Sequence, residues 1–125
     1  EAGAALGEAA CRLGAAGADF AAITANTVHI AFDIAQARSP IPLIHIVDVT
    51  AQAILARGIT RVGLLGTRIT MRHPFYRERL AAHGLATVVP SPESQDEINR
   101  VIYQELTLGR IRPASRAAYL DIIAE

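Results

Sequence analysis

The chain has 125 residues, 51% of them hydrophobic, with twelve basic and twelve acidic side chains and no tryptophan. Zero formal charge with arginines interspersed among acids gives no support for a polyanion-binding face, and so few aromatics leave no visible platform for stacked bases. No apolar run approaches the roughly 20 residues that span a bilayer, and the single Cys11 excludes an internal disulfide and fits a reducing, cytoplasmic setting.

An Ala-rich stretch over 4–16 puts Leu6, Ala9, Ala10 and Leu13 on one face, which predicts a helix closed by Gly17. Cys11 lies on it and is expected to be a buried structural residue, since free cysteine packs as a small hydrophobe. The apolar run from Asp19 to Thr24 predicts a buried strand at Phe20–Ile23. Val28–Ala37, with Ile30, Ala31 and Ile34 in helical spacing, predicts a second helix. Ser39-Pro40-Ile41-Pro42 stops it, because proline disfavours helix in the residue before it. Leu43–Val47 predicts another buried strand, and Asp48 is placed to cap a helix that runs to Arg57 and ends at Gly58.

Arg61–Gly66 predicts a third strand, followed by the loop Thr67-Arg68-Ile69-Thr70-Met71. Pro74 suits the first position of a helix that reaches His83 and stops at Gly84. Thr87–Val89 predicts a fourth short strand. Ser94-Gln95-Asp96-Glu97 has the spacing of a capping box, with Ile98, Val101, Ile102 and Leu106 on the apolar face behind it, closed by Gly109. Pro113 opens a last helix with Tyr119, Leu120, Ile122 and Ile123 as its core stripe. The alternation predicts an α/β fold with parallel sheets covered by helices on both faces. The chain opens in helical pattern at Glu1 and is still in helical pattern at Glu125, so we expect an internal piece of a longer protein.

Asn26 and Thr27 carry most of the functional information. They fall at the C-terminal end of a predicted strand, where open α/β sheets bind ligands. The helix that follows offers backbone N–H groups to an anion, and the two side chains add donors, a combination suited to a small carboxylate. His29, one turn further on, is placed to brace the loop by a hydrogen bond, whereas Ala25 supplies no titratable group. The strand–hydroxyl–helix pattern of Phe20–Ala37 recurs at Arg61–His83, where Gly66-Thr67-Arg68-Ile69-Thr70 reads either as a second anion-friendly loop or as a turn whose threonines satisfy themselves. His45 is expected in the core, and His73 and His83 at the surface. No histidine has metal-ligand spacing, so no metal site is expected. Phosphate-loop, serine-elbow and paired-carboxylate patterns are absent.

These residues resemble the aspartate/glutamate racemase family. Ala25-Asn26-Thr27-Val28-His29 matches the family's Cys-Asn-Thr-x-His except at its first position. Pro42–Ile46, Val62–Met71, Phe75-Tyr76, Arg79-Leu80, His83–Leu85, Val88–Pro90 and Asp96–Gly109 continue the match in order, over nearly the whole chain. The resemblance implies parts of two pseudo-symmetric Rossmann-like or flavodoxin-like domains, 1–46 and 47–125, with a small amino-acid substrate between the domains of the whole enzyme. It implies cofactor-independent proton transfer at the α-carbon of aspartate or glutamate, normally by two cysteines, one per domain, and family members are often homodimers. By position, Ala25 stands where the first catalytic cysteine would be; Asn26, Thr27, Thr67 and Thr70 would contact substrate, and His29 would support the first loop. The family's second signature, Gly-Cys-Thr-Glu, is expected beyond Glu125, so the isolated chain is expected to be inactive. Two other readings stand beside the racemase: a one-cysteine isomerase or decarboxylase of small dicarboxylates, and a non-catalytic carboxylate-binding homologue. No membrane or nucleic-acid partner is expected.

Overall fold

The computed structural model describes residues 1–125, which form two compact units, Glu1–Arg57 and Gly58–Glu125. The first contains α1 (Ala2–Ala15), β1 (Ala21–Ala22), a 3-10 helix (Thr27–Ala31), α2 (Phe32–Arg38), β2 (Leu43–Ile44) and α3 (Ile46–Leu55). The second contains β3 (Arg61–Gly63), α4 (Arg68–Arg72), α5 (Pro74–Ala82), β4 (Ala86–Val88), α6 (Pro92–Gln104), a 3-10 turn (Leu106–Leu108) and α7 (Pro113–Ala124). Both are parallel α/β arrangements. β1 pairs with β2 in the register Ala21↔Leu43, and β3 pairs with β4 in the register Val62↔Thr87. The sequence echo thus has a structural counterpart: each unit runs strand, helix, parallel strand. The strands are shorter than their apolar runs suggest, and each sheet has two strands.

In the first unit α1 lies against α2 through glycine, not leucine. Gly3, Gly7 and Ala10 are its buried residues, whereas Leu13 is 47% exposed. A Cβ added at Gly3 would come within 2.7 Å of the Ile34 Cβ, and one at Gly7 within 2.6 Å of the Arg38 Cβ. The expected face of Leu6, Ala9, Ala10 and Leu13 is therefore displaced toward the glycines, because the helix backbones approach too closely for larger side chains. Cys11 is exposed, contrary to expectation, and its thiol donates to the Arg38 carbonyl at 3.3 Å. The second helix begins as 3-10 geometry and becomes α-helical only at Phe32. This shifts its buried residues to His29, Phe32 and Ala35 and leaves Ile30 and Ile34 exposed. β1 is not buried as its apolar run suggests: Ala22 and Phe20 are exposed. The strand expected to reach Val47 ends at Ile44. His45 then caps α3 in place of Asp48, its Nδ1 accepting from the Val47 amide at 3.2 Å.

In the second unit Pro74 and Pro113 occupy helix starts as predicted, since a proline there gives up no helical hydrogen bond. Gly84 and Gly109 follow their helices with φ of 82° and 69°, a region that costs other residues a steric clash. The capping box at Ser94 is not formed. Ser91 is the cap, accepting from the Ser94 amide at 3.2 Å, and Pro92 takes the first helical position. The core comprises Leu64, Met71, Tyr76, Leu80, Leu85, Ile98 and Val101. α7 departs most from its expected stripe: Leu120 and Ile123 are exposed, and Ser115 is its buried residue.

Candidate functional site

The turn after β1 leaves the sheet at Ala22 and enters the 3-10 helix with Asn26 as its N-cap residue. Ala25 and Asn26 are exposed and Thr27 is half-buried, so the motif is accessible from outside. The tight start is closed by the His29 amide donating to the Asn26 carbonyl at 3.1 Å. The helix expected to begin here as a full α-helix begins instead with one 3-10 segment.

His29 lies beneath this turn, 3% exposed. Its Nδ1 is 2.9 Å from the Ala25 carbonyl oxygen, and its Nε2 is 3.3 Å from the Ile46 backbone nitrogen. A carbonyl can only accept and an amide N–H can only donate, so Nδ1 carries the proton and Nε2 presents a lone pair. The ring stacks on Phe32, with centroids 5.8 Å apart and planes 7° apart, and meets the buried His45 ring at 4.6 Å. His29 is thus a tie between the turn and the start of α3. Beside Ala25 lies a cavity of about 290 Å³ walled by Leu6, Leu13, Ile23, Val28 and Leu43, with no titratable side chain in its lining.

The loop after β3 takes the self-satisfied form. Thr67 caps α4: its Oγ1 accepts from the Thr70 amide at 3.3 Å and lies 3.1 Å from the Thr70 Oγ1. Thr70 is buried at 3% exposure. Gly66 lies close behind it, where an added Cβ would sit 3.1 Å from the Thr70 Cγ2. Arg68 is already engaged by an acid. Its Nε donates to Asp96 at 2.8 Å, Arg72 reaches the same carboxylate oxygen at 2.8 Å, and the Arg68 amide donates to the Asn99 Oδ1 at 2.8 Å. Asp96 and Asn99 of α6 therefore pin this short helix. No local pattern reveals that pairing, because the partners are about 30 residues apart in sequence and Asp96 reads as part of a capping box.

A second polar cluster escapes sequence reading. Glu105, just after α6, is 2% exposed. It accepts from the Ser115 hydroxyl at 2.6 Å and from Arg100 at 2.9 Å. The Ser115 hydrogen bond is the main cause holding its carboxyl below the usual range, against the opposing effect of burial. Glu97 is likewise lowered, chiefly by its hydrogen bond from Arg100. These contacts join the end of α6 to α7. A cavity of about 810 Å³ lies at the ends of β3 and β4, between Leu64, Val88, Pro90 and the Ile122 side of α7. Neither Thr67 nor Thr70 lines it. No group of three His, Cys, Asp or Glu side chains is placed to hold a metal ion, and no helix is long and apolar enough to cross a membrane.

Known proteins share this arrangement. A candidate Asp/Glu racemase from Yersinia pestis superposes with a TM-score of 0.91 at 42% identity, covering 98% of this chain and 54% of that one. An aspartate racemase homologue from Pyrococcus horikoshii OT3 superposes with a TM-score of 0.78 at 42% identity, covering 86% of this chain and 48% of that one. In sequence, the chain is 28% identical over 95 residues to the broad specificity amino-acid racemase RacX of Bacillus subtilis (strain 168), covering 76% of this chain and 41% of RacX. The chain spans about half the length of these solved relatives. Residues 1–125 match the Asp/Glu/hydantoin racemase family from end to end, and the chain belongs to that family.

Proposed function

We propose that this chain is part of a cofactor-independent isomerase that moves a proton at the α-carbon of an acidic amino acid, aspartate or glutamate. Asn26 and Thr27 are its principal carboxylate contacts, and His29 supports their loop. The observation that carries this reading is the exposed Ala25–Asn26 turn at the end of a parallel strand, tied down from its buried side by His29. Donors held in place before the substrate arrives can bind its carboxylate and stabilise the charge that builds as the proton leaves. The family's description as Asp/Glu/hydantoin racemases and the printed function of RacX as a broad specificity amino-acid racemase support an amino-acid substrate, and aspartate and glutamate are the two we propose.

Ala25 favours a second reading. It cannot transfer a proton, and no titratable side chain lines the cavity beside it. The face of the substrate presented to Ala25 would then lack a protein base. That suits one-sided chemistry, such as isomerisation or decarboxylation of a small dicarboxylate, or binding without turnover. Incubating the whole protein with L-aspartate or L-glutamate in D2O separates the possibilities. Deuterium at the α-carbon is the expected result. Binding without incorporation in either amino acid would replace the racemase reading with a carboxylate-binding one.

A further inference from the structure

We infer that the backbone N–H of Ile46 selects the Nδ1–H tautomer of His29, and so makes the His45–Ile46 step a positioning element for the Ala25–Asn26 peptide. Only its functional consequence rests on the proposal that this turn binds a carboxylate.

The argument begins with what each ring nitrogen faces. The Ala25 oxygen, 2.9 Å from Nδ1, needs a proton there, and the Ile46 N–H, 3.3 Å from Nε2, needs a lone pair. In the opposite tautomer both contacts would set like against like, lone pair to lone pair and N–H to N–H. The ring cannot turn away to relieve this, because it is buried between Phe32 and His45. His45 is held in turn: its Nδ1 accepts from the Val47 amide at 3.2 Å, so that nitrogen keeps its lone pair. Two touching imidazoles therefore hold opposite arrangements at Nδ1, both set by consecutive amides at the start of α3.

The consequence reaches the Asn26 amide. In a trans peptide the C=O and N–H point in opposite directions, and this chain has no cis peptide. With the Ala25 carbonyl drawn in toward His29, the Asn26 N–H is aimed away from the ring. Ile46, 20 residues downstream of Asn26, thus sets the direction of a backbone donor in the motif.

Nuclear magnetic resonance tests this on the chain directly. Long-range proton–nitrogen correlations of the His29 ring should show Nδ1 protonated and Nε2 unprotonated; the reverse overturns the inference. Ile46→Pro replaces the amide hydrogen with a ring carbon at the first position of α3, where a helix tolerates proline, and Ile46→Ala keeps that hydrogen while trimming the side chain. Ile46→Pro should mix the His29 tautomers and move the amide signals of Asn26–His29, and Ile46→Ala should do neither. Identical behaviour of the two variants would overturn the proposal. Should Ile46→Pro fail to fold, His29→Asn, which retains a donor near the Nδ1 position, should leave the Asn26 amide closer to its native shift than His29→Gln does; equal displacement counts against us. Aspartate affinity should fall about two- to tenfold in Ile46→Pro relative to Ile46→Ala, the loss of roughly one hydrogen bond. If the tautomers behave as stated while aspartate perturbs no amide of the turn, the carboxylate reading fails and the tautomer coupling stands.

Discussion

The hydroxyl oxygens of Thr67 and Thr70 lie 3.1 Å apart, and the Thr67 oxygen also accepts from the Thr70 amide. One side chain thus caps a five-residue helix and fixes the hydroxyl of its neighbour. Thr67→Ala should therefore lower stability by about 1 kcal/mol, the usual value of an N-cap. Thr67→Ser should recover most of it in urea unfolding. If Thr70 also contacts substrate, Thr70→Val, which keeps the shape but removes the hydroxyl, should weaken aspartate binding by more than it weakens the fold. Equal losses in both would make Thr70 a purely structural residue.

Gly7 sets two effects against each other. Alanine is a better helix former than glycine by about 1 kcal/mol. The added Cβ, however, would lie 2.6 Å from the Arg38 Cβ and 3.3 Å from the Ala35 carbonyl oxygen, and neither atom is the free end of a flexible chain. Overpacking of this kind costs roughly 1–3 kcal/mol, so the clash should win. Thermal unfolding of Gly7→Ala should show net destabilisation. A higher melting temperature would mean that α1 and α2 separate without cost.

Glu105 should give the fold an acid-side weakness. Its folded-state carboxyl sits below the ordinary range because Ser115 and Arg100 bond to the charged form. A group depressed in this way contributes stability that is fully present above its unfolded pKa and is lost as pH falls through the folded value. Stability measured by denaturant should therefore decline from the ordinary glutamate range downward. Glu105→Gln should be weaker at neutral pH and show a flatter acid limb. Ser115→Ala should move the limb toward the ordinary range, since it removes the largest stabilising contact. A limb unchanged in both variants would assign the acid sensitivity elsewhere.

Much of this architecture was legible because local chemistry determined it. Pro74 and Pro113 mark helix starts, and Gly84 and Gly109 mark stops, through backbone sterics that no distant contact alters. The Asn26-Thr27 turn was legible for a similar reason: an apolar strand must end before polar residues begin. What failed depended on partners. The α1 face was sought among leucines, but a close helix crossing selects glycine, which hydrophobic periodicity does not register. His45 displaced Asp48 as cap because the strand ended early and the ring's packing on Phe32, centroids 4.4 Å apart, favours it there. Asp96 and Asn99 pin α4 from a distant segment, and nothing in either stretch announces the other.

Ala25 and Thr27 offer the most direct test of chemistry at the first turn. Thr27→Ala should weaken carboxylate binding by about 1–3 kcal/mol, the range for a hydrogen bond to a charged group, or roughly five- to 150-fold in affinity. Isothermal titration with aspartate would measure it, and an unchanged affinity would remove Thr27 from the site. Ala25→Cys asks the complementary question. A thiol at this position would stand at an exposed turn beside donors able to favour its thiolate, which is the form that accepts a proton. If the surrounding turn has kept the family geometry, the whole protein carrying Ala25→Cys should exchange the α-proton of aspartate or glutamate faster than the unaltered protein. Tight binding with no gain in exchange would show that the pocket beside Ala25, walled by Leu6, Leu13 and Val28, no longer presents the α-carbon to position 25.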